Sequence, residues 1–141
     1  MTGIDVPPAG SITVSDLIGS GVVRIAADAT VTGAAQAIIK AGVGAVIVGD
    51  DERPAALLSE RDVALVVAAG RNPSAVKAGE VASTDLVWCE SGDSVDAVAM
   101  RMTDRHIRHI LVEENGELVG IISARDLLGV YASDADLEPT P

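Results

Sequence analysis

A shift of 64 residues lays the chain on itself without a gap, residues 14–67 over residues 78–131. An internal repeat settles how many elements a fold has and in what order, before any one element is read. The clearest echo is "ALLSERD", residues 56–62, against "GIISARD", residues 120–126. Strict identities are few: Val23/Val87, Val31/Val95, Ala35/Ala99, Val48/Val112, Ser59/Ser123, Arg61/Arg125, Asp62/Asp126 and Val66/Val130. The apolar pattern matches more widely, as in "GAVIVGDDERPAALLS" against "RHILVEENGELVGIIS".

Each copy reads as strand, helix, strand, strand, helix. Val22 and Val23, or Leu86 and Val87, predict a brief first strand. Thr30 and Ser94 are helix N-caps followed by apolar residues at helical spacing: Val31, Ala34, Ala35, Ile38 and Ile39 in one copy, Val95, Val98, Ala99 and Met102 in the other. "AVIV" and "HILV" are buried strands rich in β-branched residues. Asn115-Gly116 is a strong hairpin signal. Gly70 ends a helix and Pro73 prevents its continuation. The expected layout is a flexible N-terminal tail (1–13), repeat one (14–70), a polar linker (71–77), repeat two (78–132) and an acidic C-terminal tail (133–141). A half of roughly 55 residues buries too little apolar area to stand alone. The expected fold is therefore α+β, two β-α-β-β-α repeats related by a pseudo-twofold axis and packed through their sheets.

Charge and composition narrow the function. The chain carries 10 basic and 21 acidic residues, a formal charge of −11, and its aromatic rings are Trp88 and Tyr131. Nucleic acid is excluded as a partner, because phosphate backbones want a positive face and single strands want stacking rings. The one cysteine, Cys89, forms no internal disulfide and fits a reducing cytoplasm. The N-terminus has neither a basic nor an apolar region of a signal peptide, and no apolar run approaches the ~20 residues of a membrane span. A cytoplasmic protein without a membrane partner is expected. Cys89 has no histidine partner in sequence, so no catalytic nucleophile is assigned and buried packing is its expected role. His106 and His109 lie three apart with no third ligand nearby, so no metal site is assigned.

The doubled phrase and its surroundings resemble the tandem cystathionine-β-synthase (CBS) domain pair, or Bateman module. The resemblance covers residues 14–132 and is carried by "GIISARDLL", its partner "ALLSERDVAL", and "IRHILVEENGELVG". The family motif, Gly-apolar-x-Ser/Thr-x-x-Asp, is complete in the second copy. The first has Ala56 in place of the glycine, and "GAVIV" lacks the proline that often follows the strand start. The resemblance implies a regulatory protein without enzymatic activity. It implies an adenine nucleotide or adenosyl ligand (AMP, ADP, ATP or S-adenosylmethionine) in the cleft between repeats, with no obligatory cofactor. A homodimer paired through helices and an unidentified regulated protein are the implied partners.

Residue by residue, the resemblance places Asp62 and Asp126 at ribose, Ser59 and Ser123 on the phosphate side, and Val22, Val23, Leu86 and Val87 around adenine. Arg108 and His109 stand where the first copy has Gly44 and Ala45 and are the cationic candidates for a phosphate. Gly120 is expected to let the backbone approach the ligand, making the second repeat the better phosphate site. Each assignment has a plainer rival. Ser-x-x-Asp is also a capping box that stabilises a helix with no ligand. The four apolar residues also suit an ordinary core, and Arg108 and His109 also suit pairing with Glu113 and Glu114. The rival for the whole chain is a ligand-free protein–protein interaction module.

Overall fold

Thr30 and Ser94 both cap helices, and each repeat is laid out around its cap. The computed structural model describes residues 12–19 and 21–136, the last four by backbone alone. After a 3-10 turn (Val14–Leu17) come β1 (Arg24–Ile25), α1 (Val31–Ala41), β2 (Ala45–Val48), β3 (Leu57–Ser59) and α2 (Glu60–Ala68). A short α3 (Ala78–Val81) precedes β4 (Trp88–Glu90), α4 (Val95–Arg105), β5 (His109–Glu114), β6 (Glu117–Ser123) and α5 (Ala124–Asp136). Thr30 Oγ1 accepts from Gly33 N at 3.0 Å and Ser94 Oγ from Ala97 N at 3.1 Å. Both capped helices end on a left-handed residue, Gly42 (φ 68°) and His106 (φ 54°). A β-carbon makes that conformation cost His106 about 1 kcal/mol.

Two three-stranded sheets result, in the orders β1-β2-β3 and β4-β5-β6, each with one parallel and one antiparallel pair. The sequence shift survives as register: Arg24 faces Ile47 as Trp88 faces Leu111, and Ala45 faces Ser59 as His109 faces Ser123. The α+β class and the doubled element order thus stand. The first strands begin later than the apolar pairs suggested. Val23 and Val87 accept central-strand bonds from Ile47 N and Leu111 N, both at 2.9 Å, but the ladders proper start at Arg24 and Trp88. Those valines marked burial, and burial begins before pairing does. The hairpins also differ. Asn115 (φ 54°) and Gly116 (φ 81°) both take positive φ, as a type I′ turn requires, and β6 runs seven residues. Its counterpart β3 has three, following a loop that buries Pro54.

The chain divides into two compact units, and their boundaries cut across the repeats. Unit 1 comprises Met1–Ser20 with Val87–Pro141, and unit 2 is Gly21–Leu86. The leading segment of each repeat therefore packs with the body of the other. In unit 1, Val95 N donates to Ile12 O (2.8 Å), Val14 N to Asp93 O (2.9 Å) and Ser15 N to Ser91 O (3.2 Å). In unit 2, shifted by 64, Val31 N donates to Val76 O (2.9 Å), Ala78 N to Ala29 O (2.7 Å) and Gly79 N to Ala27 O (2.9 Å). Val14 is fully buried among Cys89, Val95, Val98, Ile110, Val112 and Ile122, and Ala78 is fully buried on the core of Val46 and Leu58.

This corrects two expectations. The linker 71–77 is more than a polar spacer: Val76 packs with Val31 and Val66, and the hydroxyls of Ser74 and Thr32 bond at 2.8 Å. The tails are shorter than expected. Residues 1–11 and 137–141 lie outside the described residues, but Ile12 and Thr13 are tied to Val95 and Ser94, and α5 runs to Asp136. Among the described residues no helix is long and apolar enough to cross a membrane.

Cys89 sits buried on β4, as its packing role anticipates. Desolvation, with Asp93, Glu90 and Glu113 nearby and Arg101 opposing them, pushes its thiol up to about 11. A thiol whose folded pKa is raised contributes stability that is complete below the unfolded value near 9 and is lost as pH climbs through 11. The stability gap between wild type and Cys89→Ala, from urea unfolding, is expected to shrink by on the order of 2 kcal/mol between pH 8 and pH 11. A constant gap contradicts the assignment.

Candidate functional site

Both Ser-x-x-Asp stretches form helix caps. At the start of α2, Ser59 N donates to Asp62 Oδ2 (2.8 Å), Ser59 Oγ donates to the same oxygen (3.1 Å), and Asp62 N donates back to Ser59 Oγ (3.3 Å). At the start of α5, Ser123 N donates to Asp126 Oδ2 (2.8 Å) and Asp126 N to Ser123 Oγ (3.1 Å). The capping reading is therefore correct for both motifs. It does not exhaust them. Each cap uses one carboxylate oxygen, and among the described residues neither Asp62 nor Asp126 engages Oδ1 in a hydrogen bond. The serines differ: the Ser59 hydroxyl spends its proton on Asp62, whereas Ser123 Oγ acts here as an acceptor.

The helix amides are largely committed as well. Glu60 N donates to Gly44 O at 3.0 Å and Ala124 N to Arg108 O at 2.8 Å. With the Asp62 and Asp126 amides also taken, a phosphate meets less than the full first-turn set, so side chains must supply the rest. Each junction has an arginine in its first helical turn, Arg61 and Arg125, and the second adds two further basic side chains. His109 is cross-strand from Ser123, half-buried, and Arg108 beside it is exposed. At the first junction Ala45 holds the position cross-strand from Ser59. Local cations matter because unit 1 has 4 basic against 13 acidic residues, and unit 2 has 6 against 8. The field around the second junction is thus the more acidic of the two.

The apolar candidates are half-buried. Val23 packs against the core of unit 2 and Val87 against that of unit 1, so both are core residues in part. Val87 stands beside Leu111, two residues along the sheet from His109, and Val23 stands likewise beside Ile47, two residues from Ala45. Val22 and Leu86 belong to unit 2. Among the described residues no group of three His, Cys, Asp or Glu could hold a metal ion.

Gly120 departs from its expected part. A β-carbon there would meet Ile18 Cγ2 at 2.6 Å and Cγ1 at 3.0 Å. The missing side chain accommodates Ile18 from the leading segment. The first repeat makes the opposite pairing: Ala56 occupies the Gly120 position and Ala82 the Ile18 position, both packed on the core of unit 2. Ala56 is thus the counterpart of a smaller partner, and nothing in its packing marks it as an intrusion into a ligand site. Sequence reasoning missed this contact because it joins residues 102 apart in the chain.

With this geometry in hand, the chain belongs to the CBS domain family, matching it twice, over residues 14–69 and 78–133. It is 31% identical to hypoxic response protein 1 of Mycobacterium tuberculosis over 82% of each chain. Among solved structures, it is similar to a CBS-domain containing protein of Agrobacterium tumefaciens (31% identity, TM-score 0.75, 84% of this chain and 98% of that one). It is similar also to a CBS domain protein of Pyrobaculum aerophilum complexed with AMP (31% identity, TM-score 0.74, 89% of this chain and 99% of that one).

Gly120→Ala is expected to destabilise the protein by about 1–3 kcal/mol, since a methyl must displace Ile18 or shift β6. The double variant Gly120→Ala with Ile18→Ala should recover part of that loss in urea unfolding. Equal losses in single and double variants refute the packing role.

Proposed function

We propose that this chain is a non-catalytic regulatory module that binds an adenine nucleotide or related adenosyl ligand (AMP, ADP, ATP or S-adenosylmethionine). The observation that carries the reading is the half-used carboxylate. Asp62 and Asp126 each hold a helix cap with Oδ2, which fixes the side chain, and each keeps Oδ1 for an outside donor. A vicinal diol offers two hydroxyl donors, and a carboxylate immobilised in advance reads them at low entropic cost. The complex of the Pyrobaculum relative with AMP supports the choice of ligand class. Val22, Val23, Leu86 and Val87 supply apolar surface for a base. Ser123, Arg108 and His109 supply the phosphate side.

The state of the one cysteine supports the non-catalytic reading. Cys89 is buried and its thiol is raised to about 11, so it holds almost no thiolate at neutral pH. Regulation of another protein is then the use such a site has, and the reading includes an unidentified regulated partner.

A thermal-shift series with AMP, ADP, ATP, S-adenosylmethionine and NAD tests the reading. A bound ligand at 100 times its dissociation constant adds roughly 2.7 kcal/mol of stability. No shift with any of the five favours the ligand-free interaction module. Calorimetry then separates the junctions. Asp126→Ala is expected to weaken nucleotide binding more than Asp62→Ala, because a charge-assisted contact from Arg108 or His109 is worth roughly 1.5–3 kcal/mol. Equal losses, or a larger one for Asp62→Ala, refute the asymmetry.

The same reading makes the protein a homodimer. Ile39 on α1 is 80% exposed, with Leu65 and Val67 exposed on α2, Met100 on α4 and Leu128 on α5. Large apolar side chains on exposed helix faces fit a second copy of the chain better than water. Light scattering at micromolar concentration is expected to give a dimer mass, and Leu65→Glu with Val67→Glu to lower it. A monomer mass for the wild type overturns this part.

A further inference from the structure

The two leading segments correspond under the 64-residue shift but are held by different means. In unit 2, Leu57 and Ser83 exchange backbone bonds of 2.9 and 2.8 Å, which ties residues 76–82 at their far end to the edge strand β3. The corresponding pair in unit 1 is Ile121 and Gly19, and among the described residues no bridge joins them. A side chain does that work instead: Ile18 sits over Gly120 on the edge strand β6. The stretch Met1–Ser20 is joined covalently to the rest of unit 1 only by way of unit 2. Residues 12–18 are also kept in place by the burial of Val14, the packing of Ile12 and Leu17 on the core of unit 1, the Thr13–Ser94 bridge and the backbone bonds to Ser91, Asp93 and Val95.

Gly120 lies three residues before Ser123, on the strand that delivers Ser123 and Asp126 to the start of α5. With Ile18 seated, β6 is held from one side by β5 and from the other by the leading segment. With Ile18 gone, β6 keeps β5 and the core contacts of Ile122 and Val119 but loses its outer support three residues before Ser123. We propose that residues 12–18 are a releasable latch whose seating is coupled to ligand occupancy at the Ser123 and Asp126 junction. The coupling rests on the ligand reading given under Proposed function. The seated form presents Asp126 in its capped geometry, so ligand favours seating, and by linkage seating strengthens ligand binding by the same factor.

Amide hydrogen exchange on the full chain, with AMP as the probe, tests this. The reporters are the Val14 and Ser15 amides, with β5 amides as the unit 1 reference and β2 amides as the unit 2 reference. Ile18→Ala is expected to speed both reporters about tenfold or more while the β5 and β2 amides keep their rates, and Ile18→Val to restore most of the protection. Saturating AMP is expected to slow the wild-type reporters by about tenfold, within the usual 5–150-fold range of couplings, and Ile18→Ala to weaken AMP by a matching factor. Reporter rates unchanged in Ile18→Ala overturn the latch, as does a rise shared equally by the β5 amides, which means the unit opens as a whole. AMP that binds by calorimetry yet leaves Val14 and Ser15 unchanged overturns the coupling alone. AMP that does not bind the wild type overturns the ligand reading and the coupling with it, while the ligand-free Ile18→Ala rates still decide whether the latch releases.

Discussion

Two backbone bonds, Val14 N to Asp93 O and Ala78 N to Ala29 O, define how this chain is closed. Each brings the leading segment of one repeat to the strand–helix junction of the other. Without that exchange each body would leave an apolar face uncovered: Val14 alone, fully buried, is worth roughly 1.5–3 kcal/mol. The constraint is also topological. A contiguous fragment carrying the second repeat alone lacks Ile12 and Val14, and one carrying the first alone lacks Val76 and Ala78, so neither contains its own complete core. The compact bodies are therefore the exchanged units, residues 21–86 and residues 1–20 with 87–141, and not the repeats as the 64-residue shift draws them.

On that frame the functional chemistry sits where folding and recognition want the same groups. A capping box needs a serine at the strand end and a carboxylate three residues on. Recognition of a diol needs a carboxylate that is already fixed. On the proposed reading Asp62 and Asp126 serve both, because a carboxylate has two oxygens and the cap takes one. The same sharing limits the phosphate side. With the Glu60, Asp62, Ala124 and Asp126 amides committed, the helix starts have less to offer an anion, and Arg108 and His109 gain weight accordingly.

How much of this was legible in the sequence depends on the range of each interaction. Caps are local, so Thr30, Ser94, Ser59 and Ser123 could be read directly, as could the Asn115-Gly116 turn. Central strands were legible as runs of β-branched residues, whereas the first strands were placed too early at Val22, Val23, Leu86 and Val87, because Val23 and Val87 enter the core one residue before their ladders begin. The exchange was not read. Its signal was present in Ile12, an apolar residue at the end of the expected tail, in Val14, Leu17 and Ile18 at the start of repeat one, and in Val76, shifted by 64 from Ile12. Nothing local says which core such residues enter. The role of Gly120 failed for the same reason: glycine declares a missing side chain, and only the fold shows that Ile18 fills the space.

That last contact explains how the two repeats can diverge and remain matched. Under the shift, Ile18 corresponds to Ala82 and Gly120 to Ala56, so a large residue over a glycine in unit 1 is matched by two alanines packed on the core of unit 2. Because the leading segments are exchanged, each pair draws one member from each repeat. A larger side chain at position 120 of the second repeat therefore meets Ile18 of the first. Close packing allows few other solutions, since a single added methyl on β6 would lie 2.6 Å from Ile18. The asymmetry between the halves is thus coordinated across them. The side that accommodates Ile18 is also the side with His109 cross-strand from Ser123, so the junction that carries this histidine is the one whose edge strand packs on a segment borrowed from the other repeat.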